Sequence, residues 1–179
     1  MLYVLLTLFA AAIVAVDQWT KALAAAQLAG RTVVLIPGWL QLHYITNDGM
    51  ALSLLSGKRW FFVVIALVYL VFIVWAIAKK HIRKKTELWL IAAITGGAIG
   101  NLIDRVIYAE GFLNGKVVDF LNYGWSIGNV ADIFLMLAGV AAVLLLFLGE
   151  PFSQKDLDEA NGKTLGDDAN ATDDGTKAA

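Results

Sequence analysis

The chain has 179 residues, of which 59% are apolar and only 16% are charged, and its mean hydropathy is +0.70. Ordinary globular domains have roughly 45–50% apolar and about 25% charged residues, so this composition excludes a soluble domain and indicates an integral membrane protein. The sequence contains no cysteine, which excludes disulfides, thiolate catalysis and cysteine-ligated metals.

The first predicted element is a membrane-spanning helix over residues 2–28. A bilayer is crossed by about 20 mostly apolar residues, and the run from residue 2 to residue 16 carries no charge. Asp17 and Lys21 follow one turn apart, so they are expected to pair. A cleaved signal peptide ending at Ala22-Leu23-Ala24 is the rival interpretation, but the basic region that precedes the apolar part of such peptides is missing.

Residues 31–57 have the sequence pattern of β-strands and turns instead of the pattern of a membrane-spanning helix. Residues 32–36 are rich in β-branched side chains, Pro37-Gly38 is a turn signal, and residues 40–44 alternate with a period of two. Asn47-Asp48-Gly49 marks another turn. We therefore expect a small, strongly bent β-sheet on the extracytoplasmic surface of the membrane, between the first and second helices.

Three further spans are predicted at about 60–78, 88–108 and 129–148. The segment 79–85, between the second and third spans, contains five Lys or Arg residues. Short basic loops stay on the cytoplasmic side, so four spans place both termini in the cytoplasm. The polar segment 151–179 is predicted to be an acidic, disordered cytoplasmic tail, which leaves 1–150 as the membrane-embedded domain. The fold class is thus mostly α, with four transmembrane helices and one small sheet.

This topology places the polar residues of three spans at one level, just below the outer surface. They lie late in the first span, late in the third and early in the fourth: Asp17, Lys21, Asn101, Asp104, Arg105, Asn129 and Asp132. Ionisable groups inside a membrane are costly and mark functional sites, so we expect one site at this level.

Some of these polar residues also fit a purely structural role. The pairs Asp17–Lys21 and Asp104–Arg105 are expected to tie helices together and neutralise each other. The asparagines are expected to form hydrogen bonds between helices. The spacing Gly96–Gly100 in the third span is typical of closely packed membrane helices.

Asp119 and Asp132 have no cationic partner in their own segments. Asp119 lies in an irregular, Gly- and aromatic-rich approach to the fourth span, and Asp132 lies about one turn inside that span. Two carboxylates in a low-dielectric site share one proton, because both cannot ionise easily. Such a pair can deprotonate a water with one member and protonate a carbonyl or amine with the other. The pair predicts peptide hydrolysis without a metal, and either residue fits either role.

Five motifs follow one another along the chain: Asp17-Gln18-Trp19-Thr20-Lys21, Asn47-Asp48-Gly49-Met50-Ala51, Gly96-Gly97-Ala98-Ile99-Gly100-Asn101-Leu102-Ile103-Asp104-Arg105, Val117-Val118-Asp119-Phe120 and Asn129-Val130-Ala131-Asp132. With these motifs the chain resembles the lipoprotein signal peptidases (signal peptidase II), a family of bacterial membrane aspartyl proteases. Two positions, Leu52 and Gly128, depart from the family pattern, and both concern the shape of the pocket.

The resemblance implies roles for individual residues. Asp119 and Asp132 become the catalytic dyad. The substrate-binding or site-shaping residues are Asn47, Gly49, Asn101, Arg105 and Asn129, and Asp17, Lys21 and Asp104 give structural support. The implied substrate is a prolipoprotein whose cysteine carries diacylglycerol, cleaved on the amino side of that cysteine. The implied location is the bacterial cytoplasmic (inner) membrane, where the chain acts as a monomer among membrane lipids, without a cofactor, metal or nucleic acid.

Two other functions are compatible with parts of the pattern. A small proton-coupled carrier also uses intramembrane Asp, Lys and Arg, but it needs a polar path across both leaflets, and the second and fourth spans are apolar toward the cytoplasm. A Ser/Lys protease would use Ser53 or Ser126 as its nucleophile, with a lysine such as Lys21 brought to it by the fold.

Overall fold

A computed structural model describes residues 1–47, 60–79, 81–82, 84–109, 111 and 114–148. The predicted site residue Gly49, the alternative nucleophile Ser53, the departure at Leu52 and the predicted acidic tail 151–179 lie outside the described residues.

Four long helices make up most of the described chain. They are α1 (Leu2–Gln27), α2 (Trp60–Ala78), α3 (Lys85–Ile107) and α4 (Val130–Phe147), and each is long and apolar enough to cross a membrane. The chain is a multi-pass membrane protein, as its composition predicts. Helix α3 begins three residues before the predicted position 88, because Lys85, Thr86 and Glu87 add a polar turn ahead of the apolar run.

Helix α1 buries a single stripe of side chains. The buried residues follow the spacing of one helix face, and the stripe is apolar at Leu6 and Ile13 but charged at Asp17 and Lys21. The opposite face exposes large apolar residues such as Trp19. Exposed apolar faces of this kind suit the hydrocarbon of a bilayer, whereas the charged half of the stripe points into the protein.

Helix α3 lies at the centre of the bundle, and its glycines allow close contact with two neighbours. A Cβ atom at Gly96 would lie 2.9 Å from the Ala10 carbonyl oxygen of α1, and one at Gly97 would lie 2.8 Å from the Ala131 carbonyl oxygen of α4. The predicted close packing is confirmed, since the backbones approach only where no side chain intervenes.

We expect Gly97→Ala to destabilise the bundle by about 1–3 kcal/mol, because the added methyl meets both a carbonyl oxygen and Leu135 at 2.8 Å. Thermal unfolding in detergent measures the loss. Gly139→Ala, in α4, is the matched control, since its methyl would meet nothing within 4 Å. Equal unfolding temperatures for the two variants would contradict this packing.

The sheet has four antiparallel strands in the order β1 (Thr32–Ile36), β2 (Leu40–Asn47), β3 (Val117–Asn122) and β4 (Ile127–Gly128). The predicted sheet between the first two helices is confirmed, and Gly38 in its hairpin turn has a φ of 77°, which glycine adopts without strain. The segment before α4 adds β3 and β4, so the prediction of an irregular approach around Asp119 was wrong. The first four residues of β3 are all buried, which removes the alternation that marks a half-exposed strand.

The register of β2 and β3 brings two predicted site residues together. Ile45 pairs with Asp119, and Asn47 pairs with Val117. Since side chains two apart on a strand share a face, Asn47 and Asp119 lie diagonally on the same face of the sheet.

Candidate active site

Asp119 is the more deeply buried of the two carboxylates predicted to be catalytic. Its side chain is 1% exposed. One carboxylate oxygen accepts a hydrogen bond from Asn47 Nδ2 at 2.6 Å, and the other accepts from Asn129 Nδ2 at 2.7 Å. Asp119 is therefore fixed by one amide from the sheet and one from the start of α4.

Asp132 is held by the N-terminus of α4. Asn129 caps the helix and accepts a hydrogen bond from Asp132 N at 3.1 Å, while Asp132 Oδ2 accepts from Asn129 N at 3.1 Å. Asn101 Nδ2 of α3 donates to the other oxygen, Asp132 Oδ1, at 2.9 Å. This reciprocal cap fixes the carboxylate at the positive end of the helix, where negative charge is favoured.

The two carboxylates belong to one hydrogen-bonded network. Asn129 Nδ2, which binds Asp119, also donates to Asn101 Oδ1 at 3.1 Å, and Asn101 in turn donates to Asp132. Two asparagines from different helices thus join a strand carboxylate to a helix carboxylate.

The pKa of Asp119 is raised from its ordinary value of 3.8 to about 6. Burial is the largest cause, and the nearby charge of Asp132 adds to it, whereas the amides of Asn47 and Asn129 and the charge of Lys21 oppose the shift. A carboxyl with this pKa can keep its proton close to neutral pH and also release it there.

A second cluster of charges lies behind the first. Lys21 Nζ is 2.7 Å from Asp17 Oδ2, 2.9 Å from Asp104 Oδ2 and 3.1 Å from Asn101 Oδ1. Asp104 pairs with Lys21 instead of with Arg105, so the predicted Asp104–Arg105 pair was wrong. The fold explains this, because the buried face of α3 turns Asp104 toward α1 while Arg105 lies on another face.

The second cluster also joins the helices to the sheet. Asp17 Oδ1 accepts from Ala131 N of α4 at 2.9 Å, and Asp104 Oδ2 accepts from Val118 N of β3 at 3.0 Å. The residues next to the two predicted catalytic carboxylates are thereby held by their backbones. The supporting role expected for Asp17, Lys21 and Asp104 stays a prediction.

A cavity of about 340 Å³ opens beside Asp132, and we call it the Asp132 cavity. Asp132 lines it directly, whereas Asp119 contributes through Asn47, its hydrogen-bond partner. The remaining walls come from α2, α3, α4, the β3–β4 turn and β4: Phe62, Arg105, Tyr123, Trp125, Ser126, Ile127, Gly128, Ile133 and Met136. At Gly128 a Cβ would lie 2.9 Å from Asp132 Oδ2, so a side chain at this position would crowd the carboxylate.

Arg105 lies at the edge of this cavity. Its guanidinium lies 5.3 Å from the centroid of the Phe62 ring, and Nη1 donates to Asn101 O at 3.3 Å. Stacking on an aromatic face leaves part of the guanidinium's hydrogen-bonding fork available to a ligand.

Sequence reasoning missed three contributors to the site. Gln18 Nε2 donates to Asp104 Oδ1 at 2.9 Å and to Gly100 O at 3.0 Å. Its position next to Asp17 was the available signal, since a polar residue inside a span needs partners. Phe62 and Tyr123 could not be found from the sequence. An aromatic residue in a cavity wall has the same local sequence pattern as an aromatic residue that faces lipid.

The lysine suggested as the base of the alternative Ser/Lys chemistry, Lys21, is bound to other residues. Ser126 lines the Asp132 cavity, but Lys21 Nζ is already bound by Asp17, Asp104 and Asn101. Within the described ranges, no group of three or more His, Cys, Asp or Glu side chains is arranged to hold a metal ion.

A four-span bundle with two carboxylates in one hydrogen-bonded network, beside a cavity at one end, defines a multi-pass membrane protein with a buried acidic site. The model of the family Signal peptidase (SPase) II matches residues 9–148. The chain therefore belongs to the signal peptidase II family, and it is a membrane protease.

Relatives with the name lipoprotein signal peptidase cover most of the chain. The protein of Bifidobacterium adolescentis is 66% identical over 171 residues, which span 95% of this chain and 90% of the relative. That of Bifidobacterium longum subsp. infantis is 51% identical over 87% of this chain and 85% of the relative. That of Listeria monocytogenes is 37% identical over 84% of this chain and 96% of the relative.

Two solved structures share the fold. Both are described as bacterial membrane enzyme structures obtained by the in meso method. One has a TM-score of 0.66 and 32% identity and covers 78% of this chain and 90% of its own. The other has a TM-score of 0.67 and 28% identity and covers 95% of this chain and 93% of its own.

Proposed function

We propose that the chain is a lipoprotein signal peptidase that works as an aspartyl endopeptidase, with Asp119 and Asp132 as its catalytic dyad. The substrate is a diacylglyceryl-modified prolipoprotein, cleaved on the amino side of the lipidated cysteine. The observation that carries this proposal is the network in which Asn129 and Asn101 join the two carboxylates beside a cavity.

The geometry favours different roles for the two carboxylates, one as the acid and one as the base. Burial raises the pKa of Asp119 to about 6, so Asp119 can carry a proton at mildly acidic to neutral pH. Asp132 lies at the N-terminus of α4, where its negative charge is favoured, and it faces the cavity. We assign Asp132 as the base and Asp119 as the acid of the first step.

Hydrolysis then proceeds without a covalent intermediate. Asp132 removes a proton from a water as the water oxygen attacks the scissile carbonyl carbon, and Asp119 donates its proton to the carbonyl oxygen. In the second step the carbon–nitrogen bond breaks, and the proton taken up by Asp132 passes to the leaving amine of the lipidated cysteine. The carbonyl oxygen returns its proton to Asp119 as the new carboxyl group forms, so the dyad is restored. Arg105, at the cavity edge, is placed to orient the substrate.

The proposed mechanism predicts an alkaline limb in the pH dependence. Since Asp119 must be protonated and its pKa is raised, kcat/KM of the free enzyme should fall as the pH rises through about 6. Asn47→Ala removes a hydrogen bond that lowers the pKa of Asp119, so the alkaline limb should move to higher pH. An alkaline limb that stays in place in Asn47→Ala would contradict the assignment of Asp119 as the acid.

We further propose that both termini are cytoplasmic and that the site lies near the extracytoplasmic face. This follows from the basic connection between α2 and α3, which includes Lys79, Lys84 and Lys85. The exposed apolar faces of the helices contact membrane lipid, and we infer that the chain acts as a monomer.

The lack of native cysteine gives a clean test of this orientation. Trp125→Cys replaces a side chain that is 82% exposed in the β3–β4 turn, and Lys79→Cys lies at the other end of the bundle. A membrane-impermeant maleimide added to intact cells should label position 125 and not position 79. The reverse pattern would place the termini outside.

A further inference from the structure

A second cavity, of about 300 Å³, lies between α2 and α3, and we call it the α2–α3 cavity. One stripe of each helix forms its walls, with Leu135 of α4 at its side: Phe62, Ile65, Ala66 and Tyr69 on α2, and Ile94, Ala98, Asn101, Leu102 and Arg105 on α3. Most of this lining is apolar, and the volume is in the range of small-molecule sites.

The α2–α3 cavity meets the Asp132 cavity at one end. Phe62 and Arg105 line both cavities, and the guanidinium of Arg105 lies over the Phe62 ring at the junction. A molecule with a polar head in the Asp132 cavity could therefore extend an apolar tail between α2 and α3.

Tyr69 lies at the opposite end. Its hydroxyl is 3.2 Å from Thr95 Oγ1 and 3.4 Å from the Ile91 carbonyl oxygen, both on α3. These bonds fix the ring across the two helices in the apolar part of the bundle. An apolar tail that entered at Arg105 would meet this ring.

The distance between the two ends suits one leaflet of a membrane. Arg105 and Ile94 are eleven residues apart on α3, which corresponds to roughly 16 Å of helix. This is about half of the ~30 Å hydrocarbon thickness of a bilayer. An acyl chain of ordinary membrane length would thus fill the α2–α3 cavity from end to end.

We propose that the α2–α3 cavity binds one acyl chain of the substrate's diacylglyceryl group and that Tyr69 limits the length of the chain it accepts. The inference rests on the proposed function, because the glyceryl end must reach the Asp132 cavity. Lipid hydrocarbon is as apolar as this lining, so binding there gains little from hydrophobicity. The cavity therefore selects among acyl chains by its shape. This selection is sensitive to the size of a few side chains in its walls.

The test compares lipidated peptide substrates that differ only in acyl length, from short chains to chains longer than one leaflet. Ala66→Phe fills the α2–α3 cavity, and it should lower kcat/KM for long-chain substrates by about tenfold or more while leaving the shortest within about twofold of wild type. Val68→Phe is the matched control on the same helix, since Val68 is 62% exposed and lies outside the cavity. Val68→Phe should leave kcat/KM unchanged for substrates of every acyl length.

Tyr69 provides the opposite test, which does not depend on overpacking. Tyr69→Ala removes the obstruction, so the longest chains should become relatively better substrates by several-fold, whereas Tyr69→Phe, which keeps the ring, should retain the wild-type order of preference. The acyl site would be overturned if Ala66→Phe and Tyr69→Ala changed kcat/KM by the same factor for all acyl lengths. It would also be overturned if neither variant changed kcat/KM for any acyl length. Failure of the wild-type protein to cleave any lipidated peptide would instead remove the proposed function.

Discussion

Asp132→Asn is expected to lower the rate of signal-peptide release by on the order of 10²–10⁴-fold, and Asp119→Asn by a similar factor. Each substitution removes a group that must carry a proton in the proposed mechanism. It preserves size and keeps one of the two oxygens that accept hydrogen bonds. The rate is measured as release of signal peptide from a lipidated prolipoprotein in detergent or reconstituted membranes. The two defects should not add in the double variant, because the proposed mechanism needs both carboxylates in the same steps.

The control for these variants is Ser126→Ala. Ser126 lines the same cavity, and the proposed mechanism gives it no chemical role, so its rate should remain near that of the wild type. Both Asn variants should also remain folded and unfold cooperatively, as the wild-type protein does. Full activity in either Asn variant, or loss of activity in Ser126→Ala, would favour serine chemistry or a different function such as a carrier.

Lys21→Met is expected to give the largest loss of stability, about 3–5 kcal/mol. Lys21 is 3% exposed and neutralises two carboxylates, Asp17 at 2.7 Å and Asp104 at 2.9 Å, which are 0% and 2% exposed. Removing the ammonium leaves both buried carboxylates without the cation that contacts them. Thermal or denaturant unfolding in detergent measures the effect.

A compensated variant separates this charge effect from loss of packing. In Asp17→Asn/Lys21→Met/Asp104→Asn the buried charges are removed together, so part of the lost stability should return. Thr7→Ala is a control on the same helix, because its hydroxyl bonds only to Tyr3 O within the described structure and is exposed. If the triple variant were less stable than Lys21→Met alone, unpaired charge would not be the cause.

The sequence predicted the helices well because length and hydropathy determine them almost alone. Charges inside the spans also revealed the site, since groups such as Asp17 and Asp132 are too costly in lipid to be placed without partners. Topology then brought residues from three helices to one level, as the hydrogen bonds from Lys21 of α1 to Asn101 of α3 and from Asn101 to Asp132 of α4 show.

The partners of each charge could not be predicted in the same way. Adjacent residues suggested an Asp104–Arg105 pair, but neighbours in a helix point about 100° apart, so Asp104 meets Lys21 across the helix interface while Arg105 meets Phe62. Strand β3 was missed for a related reason. Its first residues are buried on both faces, between α1, α3 and the site, and such a strand has no alternating pattern.

The proposed mechanism requires a water held between Asp119 and Asp132. A crystal structure of the Asp132→Asn variant with an uncleaved lipidated peptide tests this requirement most directly. We predict that the scissile carbonyl lies between the side chains at positions 119 and 132, with both in hydrogen-bond reach (about 2.6–3.2 Å) of it or of one shared water. A peptide whose scissile carbonyl lies away from this pair, for example against Ser126, would contradict the aspartyl mechanism.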